Sequence, residues 1–317
     1  MAGYPTPRDL PGLRHELAQW YASDAATRVI SHLAELGPAE GQRLAARHRA
    51  VIEAAGMYFV NGDMTDLAVR IGQGLDTFAV LADNDLPEDH GLLVWAHRFI
   101  EPEADGLQFA PLAVAWSAVG AHIDITMYEH LPTAQPPVMA QAYRTQLQKA
   151  GVPPGRVPEL VQMWESRMRA DGRDRPWSST EDTDPDSHRV LRTLLATWLL
   201  IRQPADARKA LHQVQEVVAP KTAQKHIARG GGDPTRAVRY VTLRQTLRRE
   251  DDSRSGGRAH ASKIYRHRWF VRPHRTNQYY PSTGEHQKIW RGPYLVVPAG
   301  CENAPILGGE RVNVLRR

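Results

Sequence analysis

The segment His188–Arg202 carries the strongest helix signal in the chain and limits the possible folds more than any other feature. Its large apolar side chains are Leu191, Leu194, Leu195, Trp198, Leu199 and Ile201. They cover most of the helix circumference, whereas a surface helix carries its apolar residues on one stripe. Such a helix has to be covered on more than one side, so we predict that it is a core helix of a layered fold.

The first part of the chain contains helix-like patterns of apolar residues followed by strand-like ones. Apolar residues recur at helical spacing over Leu13–Leu36, over Leu44–Ala55 and over roughly Met64–Ala82. Short runs rich in aromatic and β-branched residues follow at Gly91–Phe99, Leu107–Trp116 and His122–Tyr128. Runs of this kind, separated by turn residues, are typical of an antiparallel meander. We therefore expect an α+β fold in which the meander packs on the preceding helices.

The remaining elements are predicted from the spacing of apolar residues and from Gly and Pro residues that end helices and strands. Further helices are expected at Val138–Lys149, Pro158–Met168 and Pro204–Val218. Strands are expected at Val238–Leu243, Tyr265–Tyr280, Gln287–Val297 and Arg311–Leu315. The glycines at 230–232 precede Asp-Pro and not a helix with Lys-Ser/Thr, so they indicate a helix stop and not a phosphate loop.

Composition divides the chain into four parts. The stretch 170–187 is rich in Asp, Gly, Pro and Ser and has almost nothing to bury, which indicates a linker. We predict an acidic α+β region at 1–169 that recognises a protein partner, then the linker at 170–187, a helical segment at 188–232 and a basic, mostly β module at 233–317. The Leu/Trp-rich helix lies in the third part.

Charge is distributed very unevenly along the chain. Residues 221–317 contain 20 Lys and Arg against 7 Asp and Glu, a net charge of +13, whereas the first 220 residues carry a net charge of −8. A segment this basic attracts polyanions, of which nucleic acid is the commonest in a cytoplasm. The alternative is a basic face that keeps the protein soluble or contacts its own acidic half.

The single cysteine, Cys301, excludes an intramolecular disulfide framework and indicates a reducing compartment. The first eleven residues contain three prolines and no apolar core, so they do not resemble a signal peptide. The longest apolar runs are shorter than the roughly 18 residues that cross a bilayer. We expect a soluble, cytoplasmic protein without a membrane partner.

The segment Tyr265–Arg275 is the most informative for function. In an extended chain, alternate side chains share a face. One face would then carry Arg266, Arg268, Phe270, Arg272 and His274. Guanidinium groups pair with phosphates and an aromatic ring stacks on a base, so this face is typical of RNA binding. The alternative is a solvated edge strand whose arginines discourage aggregation.

The same region offers groups for metal-independent RNA cleavage. That chemistry needs a base for the 2′-hydroxyl, an acid for the leaving oxygen and cations for the phosphorane. His274, together with Tyr279 and His286, would fill these catalytic roles; alternatively, the histidines only bind phosphate or cap local structure. His260, His267 and His274 recur without a cysteine or carboxylate pair, so we expect no metal and no cofactor.

Four segments resemble uncharacterised proteins of actinobacterial phages, plasmids and integrated elements. They are LRTLLATWLLIRQ (191–203), YRHRWFVRPHRTNQYYP (265–281), GEHQKIWRGP (284–293) and the Ala304–Leu307 ending. The order of parts more distantly resembles a type V-A anti-CRISPR family, which is held to recognise the nascent effector nuclease and to cause loss of its mRNA. Within 265–297 the chain departs from the pattern at Pro273, where glycine is usual, and at Arg275, where tryptophan is usual.

Together, the charge and the resemblance suggest a mobile-element protein that binds RNA, including mRNA at the ribosome, and directs mRNA loss. The nucleic-acid-binding candidates are Arg266, Arg268, Phe270, Arg272, Arg275, Asn277, Gln278, Lys288 and Arg291. An enzymatic version makes the C-terminal module a ribonuclease. The alternatives are a non-catalytic nucleic-acid-binding regulator, a replication accessory factor, and an inhibitor that acts by protein contact alone.

Overall fold

The computed structural model of the chain describes residues 3–75, 86–100, 110–134, 137–149, 151–153, 156–169, 185–203, 212–243, 268–271, 273–296, 298 and 306–307. Within these ranges the fold is α+β, which confirms the predicted class. A seven-stranded mixed sheet forms its centre, and two smaller sheets are built from residues after 267.

The helices are α1 (Leu10–Tyr21), α2 (Asp24–Leu33), α3 (Pro38–Ala54), α4 (Gly62–Gln73), α5 (Pro137–Lys149), α6 (Pro185–Ile201) and α7 (Lys221–Arg229). The strands of the large sheet are β1 (Gly56–Val60), β2 (His90–Trp95), β3 (Ala113–Val119), β4 (His122–His130), β5 (Leu160–Arg169), β6 (His212–Val217) and β7 (Val238–Leu243). The later strands are β8 (Arg268–Val271), β9 (His274–Tyr280), β10 (Glu285–Arg291), β11 (Tyr294–Val296) and β12 (Ile306–Leu307).

The large sheet has the strand order β5-β4-β3-β2-β1-β7-β6. Strand β1 is parallel to both of its neighbours, β2 and β7, and every other neighbouring pair is antiparallel. The predicted meander is confirmed as β2, β3 and β4, and β5 extends it by a fourth strand. Strands β1 and β2 are apolar along nearly their whole length, which is typical of strands buried on both faces.

One face of the sheet is covered by α4 and α6. The predicted core helix is confirmed, since Leu191, Leu194 and Trp198 are fully buried and belong to the same apolar cluster as Trp116 of β3. The two indole rings meet edge to face, with centroids 5.4 Å apart. Helices α4 and α6 approach so closely that a Cβ at Gly72 would lie 2.9 Å from the backbone nitrogen of Thr193 in α6. Only glycine fits this contact without a shift of one of the helices.

The opposite face is covered by α1, α2 and α3. Leu13 and Leu17 of α1 and Ile52 of α3 pack in one cluster with Phe59 of β1 and Val94 of β2. Residues adjacent in β1 alternate between the two clusters, because successive side chains in a strand point to opposite faces. The fold therefore has three layers, with helices on both sides of the sheet.

The helical stripe predicted over Leu13–Leu36 is divided into two helices. Ser23 separates them, because its hydroxyl accepts a hydrogen bond from the backbone N–H of Ala26 at 3.1 Å and so begins α2. Asn61 begins α4 in the same way, accepting from Met64 N–H at 3.0 Å. Side-chain caps of this type satisfy N–H groups that have no partner in the first turn of a helix.

The helix predicted over Pro158–Met168 is wrong, because residues 160–169 form strand β5. Leu160, Trp164 and Met168 are spaced by four residues, and this spacing fits a helical stripe as well as one face of a strand. Pairing with β4 decides between the two, and the register shifts by one residue at Met127/Tyr128. The shift is a β-bulge, at which the side chains change face.

The helix predicted over Pro204–Val218 is also contradicted, because His212–Val217 form the edge strand β6; residues 204–211 lie outside the described ranges. The predicted helical part at 188–232 thus contains a strand. Helix α7 follows β6 and lies inside the predicted helical segment, although no separate bounds were predicted for it. It ends at Gly230, which confirms the glycines there as a helix stop.

The large sheet takes strands from both sides of the predicted linker. Strand β7, from the predicted basic module, pairs with β1 in the first part of the chain. Arg239 of β7 forms an ion pair with Glu88, and its guanidinium lies 5.1 Å from the ring centroid of Tyr58 in β1. Residues 170–184 are outside the described ranges, whereas 185–187 already belong to α6. The division at 170–187 therefore does not separate two independent cores.

Replacement of Trp198 by alanine tests the core packing. Because the side chain is fully buried, we expect Trp198→Ala to lower the free energy of unfolding by about 3–5 kcal/mol in denaturant titrations. Val138→Ala on α5 is the control, since Val138 is 65% exposed and its loss should change stability by less than about 0.5 kcal/mol. Equal effects of the two substitutions would contradict the burial of α6.

Candidate nucleic-acid interface

The single strand predicted over Tyr265–Tyr280 is interrupted at Pro273. Strand β8 ends at Val271 and β9 begins at His274, and the two belong to different sheets. Proline has no N–H to donate to a ladder, which explains a break at this position. The predicted strand Gln287–Val297 is divided in the same way at Gly292-Pro293, into β10 and β11.

This interruption removes the continuous basic face that the sequence suggested. Arg266 and Arg272 lie outside the described residues. Arg268 is half-buried on β8, which pairs with β11 on one side and β12 on the other, so β8 is not the edge of its sheet. Phe270 lies on the same strand, opposite Leu295 of β11. Arg268 and Phe270 are thus on a different sheet from His274.

Strands β9 and β10 form an antiparallel hairpin around the turn at residues 281–284. Tyr280 pairs with Glu285 and the ladder runs to His274 opposite Arg291. The backbone N–H groups of Thr283 and Gly284 donate to the carbonyl of Tyr280 at 3.2 and 2.9 Å. Gly284 has φ +71°, a left-handed conformation that favours glycine, so this residue fixes the turn and with it the register.

Arg275 and Trp290 anchor the base of the hairpin. They are cross-strand partners, and the Arg275 guanidinium lies 5.4 Å from the centroid of the Trp290 ring. Trp290 packs against the apolar cluster of α4 and α6, and the three guanidinium nitrogens of Arg275 are buried. Arg275 was predicted to bind nucleic acid, but a buried guanidinium is not placed to contact a phosphate. It instead stabilises the attachment of the hairpin to the apolar cluster of α4 and α6, through the ring of Trp290.

The outer part of the same hairpin face presents four exposed side chains to solvent. We call this group the hairpin patch; it consists of Asn277, Tyr279, His286 and Lys288. The rings of Tyr279 and His286 are in contact, with centroids 5.0 Å apart and an angle of 48° between the planes. Tyr279 is 48% exposed, and Lys288 lies opposite Asn277. The structure therefore places an exposed aromatic pair beside a cation and an amide.

The other face of the hairpin carries His274, Gln278 and Arg291. Arg291 donates a hydrogen bond to Oε1 of Gln278, and His274 is exposed opposite Arg291. In the predicted catalytic set, Tyr279 and His286 are in contact, whereas His274 lies at the start of β9, five residues before Tyr279. This spacing corresponds to roughly 17 Å of extended strand, and an odd spacing also places His274 on the opposite face. The structure does not bring the three residues to one substrate.

Within the described ranges, no group of three or more His, Cys, Asp or Glu side chains is arranged to hold a metal ion. None of the helices in the described part of the chain combines the length and apolar character needed to cross a bilayer. Comparison with protein-family models, curated proteins and solved structures gives no match to this chain.

The anchoring role of Arg275 leads to a stability prediction. Replacing it with glutamine removes the cation from the Trp290 ring, so we expect Arg275→Gln to lower the free energy of unfolding by about 1–2 kcal/mol. Arg291→Gln is the matched control, because Arg291 has the same charge but is exposed on the next strand. Denaturant titration measures both. A larger loss for Arg291→Gln would contradict the assignment of Arg275 as the anchor.

Proposed function

We propose that this protein binds single-stranded RNA through the hairpin patch. The observation that carries the proposal is the exposed contact between Tyr279 and His286, flanked by Lys288 and Asn277. An exposed aromatic ring can stack on a base, and a neighbouring lysine can neutralise a phosphate. The asparagine amide can donate to and accept from a base edge.

The overall charge distribution supports the same proposal. The excess of 13 positive charges in residues 221–317 gives the end of the chain that carries the hairpin a long-range attraction for a polyanion. Contacts of this kind depend little on base sequence. We therefore propose binding that tolerates many RNA sequences and falls steeply as salt concentration rises.

The geometry favours binding over cleavage. A ribonuclease that uses side chains as acid and base needs both within hydrogen-bond reach of the same phosphodiester. His274 is on the opposite face of the hairpin from Tyr279 and His286. We therefore favour a non-catalytic regulator over a metal-independent ribonuclease. An inhibitor that acts by protein contact alone is the alternative that a lack of RNA binding would support.

The finer part of the proposal concerns the biological setting. We propose a mobile-element protein that acts in the cytoplasm on mRNA, with its acidic N-terminal residues contacting a protein partner. The support is the resemblance of 265–297 and 191–203 to proteins of phages and plasmids and to the type V-A anti-CRISPR layout. Co-purification from the native host, followed by sequencing of the retained RNA and identification of the retained proteins, tests this setting directly.

Substitutions in the hairpin patch test RNA binding. We expect Tyr279→Ala to weaken binding of a labelled uridine-rich oligoribonucleotide by about 1–3 kcal/mol, the loss of one stacked base. Lys288→Gln should reduce the slope of log affinity against log salt by about one, the loss of one phosphate contact. Fluorescence anisotropy at several salt concentrations measures both effects.

Gln287→Ala is the matched control, because Gln287 is exposed on β10 between His286 and Lys288 but belongs to the other face of the hairpin. It should leave affinity and salt slope unchanged. If wild-type protein does not bind RNA at low salt, or if Tyr279→Ala and Lys288→Gln bind like wild type, the hairpin patch is not the RNA site.

Incubation of the purified protein with labelled RNA in EDTA separates binding from cleavage. We expect the RNA to be retained intact, because His274 lies on the opposite face of the hairpin from Tyr279 and His286, so the three predicted catalytic groups do not meet at one phosphate. Cleavage that persists in EDTA and is lost in both His274→Ala and His286→Ala would instead support the ribonuclease.

A further inference from the structure

A cavity of about 360 Å³ lies between α1, the C-terminal end of α3 and the turn that follows α7. Its lining includes Arg14, His15, Arg49, Glu53, Asp233 and Arg236. The volume is at the lower end of the range of small-molecule sites, and the lining is rich in charged groups. This cavity is on the side of the sheet covered by α1 and α3, whereas the hairpin is anchored on the side covered by α4 and α6.

Two guanidinium groups are held in position by the end of α3. Arg14 donates through Nε to the carbonyl of Ile52 at 2.7 Å and through Nη2 to the carbonyl of Glu53. Arg236 donates through Nη1 to the same Glu53 carbonyl at 2.7 Å and to Ala55 at 3.2 Å. The carbonyls at a helix C-terminus carry partial negative charge, which attracts and orients both cations. Among the described residues, these bonds leave Nη1 of Arg14 and Nε and Nη2 of Arg236 for a ligand.

The carboxylates of the cavity are already engaged. Glu53 accepts from Nε of Arg49 at 2.8 Å, and Asp233 accepts from the N–H and hydroxyl of Thr235 at 2.9 and 2.7 Å. The hydrogen bonds from Thr235 lower the pKa of Asp233, so this group is ionised at neutral pH. Three guanidinium groups against two carboxylates give the cavity a net charge of +1, and protonation of His15 would raise it to +2.

Burial and mutual repulsion disfavour the charged forms of the basic groups in the cavity. Burial, together with the nearby charge of Arg236, lowers the pKa of Arg14 to about 10. Burial and the charges of His226 and Arg14 likewise lower the pKa of His15. The imidazole rings of His15 and His226 meet edge to face 5.9 Å apart, so α7 brings a further titratable group to this wall. An anion between these groups would relieve the repulsion.

We propose that this cavity binds the phosphate of a phosphomonoester that carries a sugar-sized or nucleoside-sized group. A phosphomonoester has a charge of about −1.5 to −2 at pH 7, which offsets the excess positive charge of the cavity, and a bound dianion would itself favour protonation of His15. Guanidinium groups fixed at one wall provide the paired donors that phosphate oxygens accept. The remaining volume accommodates the attached group. The source is either a free nucleotide or the 5′-terminal phosphate of an RNA, and the proposal does not depend on RNA binding by the hairpin.

Isothermal titration calorimetry of the full chain with adenosine monophosphate tests the site, with adenosine as the control without phosphate. We expect adenosine monophosphate to bind and adenosine not to bind. Arg49→Gln removes one positive charge from the cavity and should weaken binding about five- to tenfold. Glu53→Gln removes a negative charge and should strengthen binding by a similar factor, since the Glu53 carbonyl that holds Arg14 is kept.

Arg43→Gln is the matched control. Arg43 is an exposed arginine on the same helix that lies outside the cavity lining, and it forms an ion pair with Glu40 at 4.0 Å. Its replacement changes the net charge of the protein as Arg49→Gln does and should leave binding unchanged. Opposite effects of Arg49→Gln and Glu53→Gln distinguish a ligand site from a structural cluster, because neither exposed side chain holds the end of α3.

Two RNAs of one sequence, with a 5′-phosphate or a 5′-hydroxyl, distinguish the sources. Tighter binding of the phosphorylated RNA that is lost in Arg49→Gln supports the terminal phosphate of RNA. Binding of adenosine monophosphate with equal affinity for the two RNAs supports a free nucleotide. The proposal is overturned if neither adenosine monophosphate nor the phosphorylated end is bound at millimolar concentration, or if binding ignores Arg49 and Glu53. RNA binding by the hairpin adds equally to both RNAs, so its failure would be seen separately.

Discussion

Burial of α6 between α4 and the central sheet is the interaction on which the rest of this fold depends. A helix that is apolar around most of its circumference stabilises the fold only where its side chains are removed from water. Exposure of any side of it would therefore lower the stability of the protein. Helix α4 covers one side of it, at the close contact made possible by Gly72. The sheet covers another, through Trp116 and its neighbours. Because strands β1 and β2 are then apolar on both faces, α1 and α3 are needed on the far side, and three layers result.

The same core determines where the hairpin patch can be. An isolated two-stranded hairpin is marginally stable in water, and most residues of β10 are exposed. Its position is set by Trp290 on the α4/α6 cluster and by a hydrogen bond from Gln203, just after α6, to the carbonyl of Pro293. Arg275 adds its guanidinium to the Trp290 ring. Tyr279 and His286 are left at the projecting end, which is the part free to meet a ligand.

The features that could be predicted from the sequence are those fixed by local pattern. The core helix, the meander and the turn at 281–284 have such patterns, and the turn even determines that Tyr279 is opposite His286. Strand β5 could not be separated from a helix, because a spacing of four fits both periods. The break at Pro273 could have been predicted, because proline has no N–H to donate to a sheet ladder. The burial of Arg275 could not have been predicted, since it depends on a core built from residues far away in sequence.

The cavity was beyond sequence reasoning for the same reason, because Arg14 and Arg236 are separated by more than two hundred residues and meet only at the end of α3. The two proposed sites therefore use their cations differently. Lys288 is exposed on β10, so its attraction for a phosphate is screened by salt and tolerant of base sequence. Arg14 and Arg236 are fixed by main-chain carbonyls before any ligand arrives. Pre-organised donors lose less entropy on binding, which favours recognition of one compact phosphomonoester over the repeated phosphodiesters of a polymer backbone.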